Sequence, residues 1–212
     1  MSKIVIALVG LLFLPVSTFA PIAYAKTTAP GTGSSGEDPS SRLVAPANPD
    51  VTLTVRLTSY NAVAEQTDGN PTVTASGIPS NSEVIAARSR DLAQTLPFGT
   101  VVAFYREDSD TPGCGFKKVE HLIGYRVIAD TMSPRFAKRL DVEFDMADKV
   151  QVEGKRMNPS RAMGVCSNVK VKVMGKLALK DIPATQDELA LLVNPPSKEI
   201  AYAPSRFAFL GF

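Results

Sequence analysis

Alternation of apolar and polar side chains with a period of two constrains this chain more than any other feature. Residues 51–60, VTLTVRLTSY, place Val51, Leu53, Val55 and Leu57 on one face and Thr52, Thr54, Arg56 and Thr58 on the other. Such a pattern predicts a half-buried strand. Residues 168–174, NVKVKVM, repeat it, with Val169, Val171 and Val173 inside and Lys170 and Lys172 outside. Further strands are predicted over 84–88, 100–105, 123–129 and 139–144. Between them, TDGNP at 67–71 is turn chemistry. Helix signals are few. DMADKVQVEG (145–154) can start on Asp145 and stop at Gly154, and QDELALLV follows a Thr185/Glu188 capping box and ends at Asn194-Pro195-Pro196. Six short strands with little helix between them predict a mainly β fold. A small closed six-stranded barrel is favoured, because closure removes exposed edges.

The strands occupy residues 50–175, about 125 residues and enough for one core. Residues 1–25 read as a secretory signal: Lys3, the apolar run IVIALVGLLFLPV, then Ala23-Tyr24-Ala25. Residues 26–49, rich in Pro, Gly, Ser and Thr, read as a disordered linker, since they carry too little apolar surface to offset their ordering entropy. Residues 176–212 form a C-terminal extension with one short helix and an apolar end, RFAFLGF. An exported chain is expected in the periplasm, the cell envelope or the extracellular space, with membrane contact only through an uncleaved signal. In such compartments the two cysteines, Cys114 and Cys166, are expected to form a disulfide.

Composition removes several function classes. Without residues 1–25 the chain holds 22 basic and 21 acidic residues, with no Lys/Arg block, so it offers no electrostatic footprint for nucleic acid. The single histidine, His121, and the two cysteines lack zinc spacing. There is neither a P-loop nor a G-x-S-x-G elbow. No metal or other cofactor is expected, which leaves carboxyl groups as the candidate acids.

The stretch ADTMSPRFAKRLDV (129–142) holds two of them, Asp130 and Asp141, eleven residues apart around an irregular excursion. Within RLDVEF, alternation puts Arg139, Asp141 and Glu143 on one face and Leu140, Val142 and Phe144 on the other. If the strands carrying the two aspartates lie side by side, their carboxyls approach. Like charges held close raise one pKa and keep an acid protonated near neutral pH. The structural reading is that Asp130 caps the turn at Thr131 and Asp141 pairs with Arg139.

The segments LTSYNAVAEQTDGNPTVTASG (57–77), VIAAR (84–88), LPFGTVV (96–102), YRVIADT (125–131) and RLDVEF (139–144) occur in an order that resembles the three-aspartate (3D) domain. That domain forms the double-psi β-barrel of membrane-bound lytic transglycosylase A and of stationary-phase survival proteins. The most specific parts are the turn Thr74-Ala75-Ser76-Gly77, the turn Pro97-x-Gly99-Thr100, and the two aspartates. The resemblance implies a peptidoglycan lytic transglycosylase acting on glycan strands. One Asp protonates the glycosidic oxygen, then accepts the proton of the muramic acid 6-hydroxyl, leaving a 1,6-anhydro end. No second carboxylate is needed to activate water. The acid role falls on Asp141, with Asp130 as the partner that tunes it. Tyr60, Thr74, Gly77, Thr100 and Arg139 would line the sugar groove.

The chain departs from that pattern at Arg88, which stands where the family has its first aspartate. It departs again at Met132, at SPRFAK (133–138), and in a longer loop over 106–120 around Cys114. An arginine beside Asp141 would hold it ionised and weaken it as an acid. Two other readings therefore stand beside catalysis. One is a non-catalytic glycan-binding or wall-loosening module on the same barrel, marked by a tight Arg88–Asp141 pair. The other is an envelope interaction protein, marked by an exposed patch of Phe207, Phe209 and Phe212.

Overall fold

The computed structural model describes residues 42–46, 52–67 and 70–195. Six strands close into a barrel: β1 (Thr52–Asn61), β2 (Ile85–Arg88), β3 (Thr100–Tyr105), β4 (Tyr125–Thr131), β5 (Arg139–Phe144) and, last in the chain, β8 (Cys166–Lys176). Around the barrel their order is β1-β5-β2-β4-β3-β8. Two pairs are parallel, β1 with β5 and β2 with β4, and the antiparallel pair β2–β5 joins them. All six strands coincide with segments whose alternation predicts them, to within three residues at either end.

The aspartate-bearing strands are not neighbours, contrary to the side-by-side arrangement considered from the sequence. β2 runs between β4 and β5, and its four residues are all buried. The two acids thus face each other across a short intervening strand rather than across one ladder.

The alternating apolar faces meet inside. Leu57, Ala86, Val102, Ile128, Leu140, Val142, Phe144, Val169 and Val171 form one core with Phe116, Val119 and Ile123 of the helix α1 (Phe116–Ile123). That helix begins within the stretch over 106–120 read from the sequence as a lengthened loop and runs on to Ile123. The Cys114–Cys166 disulfide ties its approach to the start of β8, as expected for the two cysteines. Arg126 is fully buried within this layer. Its guanidinium donates to the carbonyls of Leu122 and Ile123 at 2.7 Å, of Glu143 at 3.2 Å, and of Ser82, so its charge is stabilised by backbone dipoles.

The helix predicted over 145–154 is a correction. Asp145 accepts from Ala147 N at 2.7 Å in a local turn, and β6 (Val150–Val152) and β7 (Lys155–Met157) then form a hairpin. Its two-residue loop, Glu153-Gly154, has positive φ at both positions, 50° and 79°, which turns the chain back before a helix can propagate. A five-residue helix, α2 (Pro159–Met163), follows, with Asn158 as its N-cap.

The extension carries α3 (Gln186–Val193), opened by the predicted Thr185/Glu188 capping box. Leu189 and Leu192 of α3 pack on Val84, Ile85, Val101 and Val127 outside the barrel. Within the segment read as a linker, Val44 exchanges two backbone hydrogen bonds with Lys176 of β8, at 2.9 and 2.8 Å, so the described part of that segment adds to the barrel edge. The signal, the rest of the linker and Phe207, Phe209 and Phe212 lie outside the described residues. Among the described residues no helix is long and apolar enough to cross a membrane.

Candidate functional site

The strand face turned away from the core builds the site. On the parallel β1–β5 ladder Thr58 stands opposite Asp141, and Tyr60 stands opposite Glu143. Ala87 of β2 pairs with Asp141 on one side and with Asp130 on the other. Strict alternation along β4 would send Asp130 inward with Ile128. A register shift between Ala86 and Ala87 lets the chain skip Ala129, so that Ile128 pairs with Ala86 and Asp130 with Ala87. Bulges of this kind re-aim side chains, and here Asp130 is re-aimed outward. Asp130, Asp141, Ala87, Tyr60 and Thr74 therefore line one cleft of about 550 Å³, walled by residues 65–67, 70–71, 73–75 and 131–136.

The two aspartates differ in surroundings. Three donors converge on Asp130: Ala75 N and Thr131 N on Oδ1, both at 2.8 Å, and the Tyr60 hydroxyl on Oδ2 at 3.2 Å. The first comes from the Thr74–Gly77 turn, whose Gly77 has φ 86° and whose Ser76 N is bound to the Ala129 carbonyl at 3.1 Å. That turn docks on the end of β4 and delivers a backbone N–H to the acid. Asp130 does meet Thr131 N as the turn-cap reading expects, but this is one of its three contacts.

Asp141 has almost no polar support. Its Oδ1 is buried with no hydrogen-bond partner. Burial raises the Asp141 pKa to about 7; the Thr58 hydroxyl and the Arg139 guanidinium pull it down, and the Asp130 charge adds to the rise. A carboxyl in this state exists in both protonation forms near neutral pH.

Neither expected arginine clamp forms. Arg88 opposes Leu140, not Asp141, and stacks over the Phe98 ring at 4.9 Å with its Nε unpartnered. Arg139 stacks over Phe136 at 4.3 Å. Among the described residues no ion pair involves Asp141.

Of the residues expected to line a groove, Tyr60 and Thr74 do so, whereas Gly77, Thr100 and Arg139 do not. Gly77 shapes its turn. Thr100 is buried and donates to the Pro97 carbonyl at 2.6 Å, so it holds the turn into β3. Arg139 supports Phe136 behind the cleft wall. His121 is exposed on α1, away from the cleft.

Sequence reasoning assigned no role to Glu143, which is buried and contacts the Tyr60 hydroxyl at 3.1 Å and the Ser80 hydroxyl at 2.8 Å. Burial pushes its carboxyl above the usual range, with the Ser80 and Tyr60 hydroxyls opposing. Its parity with Asp141, two residues before it, is the signal that places it on this face. Ala87 was equally silent, being an alanine inside an apolar run. Among the described residues no group of three or more His, Cys, Asp or Glu side chains is disposed to hold a metal ion.

No family model matches the chain, and no curated protein matches it.

Proposed function

We propose that this is an exported, cell-wall-active protein of the three-aspartate kind, a peptidoglycan lytic transglycosylase with Asp141 as its general acid and base. The observation that carries the reading is the Asp141 carboxyl at the floor of a cleft, its Oδ1 buried with no hydrogen-bond partner and its pKa raised by burial to about 7. An acid of that strength can give a proton to a glycosidic oxygen and then accept one from a sugar hydroxyl at the same pH, as a transglycosylase step requires. Asp130, fixed by its three donors, holds negative charge beside Asp141 and favours its protonated form.

Two further observations support the reading. The closed six-stranded barrel suits the small barrel that the resemblance implies. The disulfide suits an oxidising, exported location. Cleavage needs no metal, because the nucleophile is the sugar's own hydroxyl.

The test is incubation of the full chain with purified peptidoglycan, followed by mass spectrometry for 1,6-anhydro-muropeptides. Wild type is expected to release them and Asp141→Asn to release none. One observation favours a second reading, a glycan-binding module: Phe136 lines the cleft, with the Arg135 and Arg139 guanidiniums 4.8 and 4.3 Å from its ring centre, so an aromatic ring and hydrogen-bond donors stand together at the cleft wall. Co-sedimentation with insoluble glycan and no anhydro product from wild type would select that reading.

A further inference from the structure

The Tyr60 hydroxyl lies 3.2 Å from Asp130 Oδ2 and 3.1 Å from Glu143 Oε2, yet a phenol has one proton to give. Both contacts are hydrogen bonds only if one of the carboxyls is itself protonated and donates to the phenol oxygen. The neighbours decide which one. Asp130 already accepts two backbone N–H groups, donors that cannot reverse. Glu143 is buried and has, besides Tyr60, only the Ser80 hydroxyl on Oε1. The charged groups facing Glu143 are Asp130 and Arg126, both from β4, and Arg126 spends its contact on the Glu143 backbone carbonyl.

We propose that Glu143, Tyr60 and Asp130 form a proton-passing unit in which Glu143 holds a proton, donates it to Tyr60 Oη, and Tyr60 donates its own to Asp130. In one transfer the Glu143 O–H bond breaks as a new O–H forms on Tyr60, while the original Tyr60 O–H breaks as one forms on Asp130. Glu143 ends as carboxylate and Asp130 as carboxylic acid, Tyr60 is neutral before and after, and total charge is unchanged. The direction has a use, and here the inference rests on the transglycosylase reading. When Asp141 gives up its proton, two anions face each other across Ala87. Passing a proton to Asp130 moves one charge to Glu143, which lines a second cleft of about 920 Å³. Ser80 lines both clefts, so the unit bridges them. Tyr60 and Glu143 are positioning residues in this scheme.

The test is carboxyl-carbon NMR titration of the full chain labelled at Glu Cδ and Asp Cγ, with the Glu143 and Asp130 signals assigned by their loss in Glu143→Gln and Asp130→Asn. Glu143 is expected to titrate above an ordinary glutamate, which does so near 4.3. The Asp130 carbon is expected to show a second step at the Glu143 midpoint, and Tyr60→Phe, which keeps the ring, removes that step. A Glu143 midpoint at the ordinary value, or an Asp130 step that persists in Tyr60→Phe, overturns the proposal. These readouts need no glycan. A coupled titration in a chain that yields no anhydro product would sink the transglycosylase reading and leave the proton-passing unit standing. In a chain that does cleave glycan, Tyr60→Phe is expected to move the alkaline limb of the kcat/KM profile; an unmoved limb overturns the coupling to catalysis.

Discussion

Ala87 stands directly opposite Asp141 across the antiparallel β2–β5 ladder, and on its other edge it pairs with Asp130. A strand residue normally keeps its two lateral neighbours about 9–10 Å apart, at twice the inter-strand spacing. The two carboxyls can influence each other across that gap because a methyl is all that stands between them.

Replacing that methyl tests the arrangement while leaving both acids in place. Ala87→Leu would fill the cleft floor between Asp130 and Asp141. Release of anhydro-muropeptides is expected to fall by about 10²-fold, the scale of a displacement near 1 Å at a reacting centre. Overpacking at this buried position should destabilise the chain by roughly 1–3 kcal/mol, read from urea unfolding. Activity within threefold of wild type would mean that the glycan does not sit over Ala87.

Asp141 makes stability depend on pH in a definite direction. Its folded-state pKa of about 7 exceeds the ordinary 3.8, so between those values the folded chain binds more protons than the unfolded chain. Stability therefore falls as pH rises from about 4 to about 7, by at most roughly 4 kcal/mol at 1.36 kcal/mol per pKa unit. Asp141→Asn has no proton to lose. It is expected to match wild type near pH 4 and to exceed it by about 1–3 kcal/mol at pH 8, while abolishing cleavage. Urea midpoints at the two pH values check this, and an unchanged gap would show the carboxyl to be well solvated.

Much of this architecture is legible in the sequence because a barrel strand with one buried face must alternate, as Leu57, Leu140 and Val169 do. The order of strands around the barrel is not legible, since alternation says which face is buried and nothing about which strand lies alongside. That is why β2 between the two aspartates had to come from the structure. The shift that skips Ala129 is invisible for a similar reason: an extra small apolar residue leaves no mark in an apolar run. The misread 145–154 segment shows two chemistries sharing one set of signals. Asp145 and Gly154 suit a helix start and stop, but they suit an Asx turn and a primed hairpin turn equally well, and Val150 and Val152 decide for strands.

The disulfide closes a long loop and contributes through the unfolded state. Cys114 and Cys166 are 52 residues apart. In the chain-entropy model that closure is worth about 4 kcal/mol. The double variant Cys114→Ala/Cys166→Ala is expected to lose about 2–4 kcal/mol in urea unfolding. Adding reductant to wild type should bring its curve to that of the variant. Coincident curves with and without reductant, in a chain whose thiols are shown to be free, would mean that the bond adds no stability.

Gly99 separates a structural role from a substrate-binding role for the Pro97–Thr100 turn. Its φ is 88°, a left-handed conformation that side chains rarely adopt, and an added Cβ would meet the Leu177 carbonyl oxygen. The backbone around it is fixed from both directions, because Gly99 N donates to the Ile128 carbonyl at 2.8 Å and Leu177 N donates to the Gly99 carbonyl at 2.9 Å. Strain and clash thus fall where β3 enters the barrel, away from the acid cleft. Gly99→Ala is expected to lower stability by at least about 2 kcal/mol, as strained glycine sites do. At temperatures where the variant is fully folded, its kcat for anhydro-product release should stay within about twofold of wild type, because Thr100 and Gly99 lie outside the cleft. Thermal unfolding and kinetics on the same preparation test both halves. A stable Gly99→Ala chain that has lost activity would return this turn to the substrate groove.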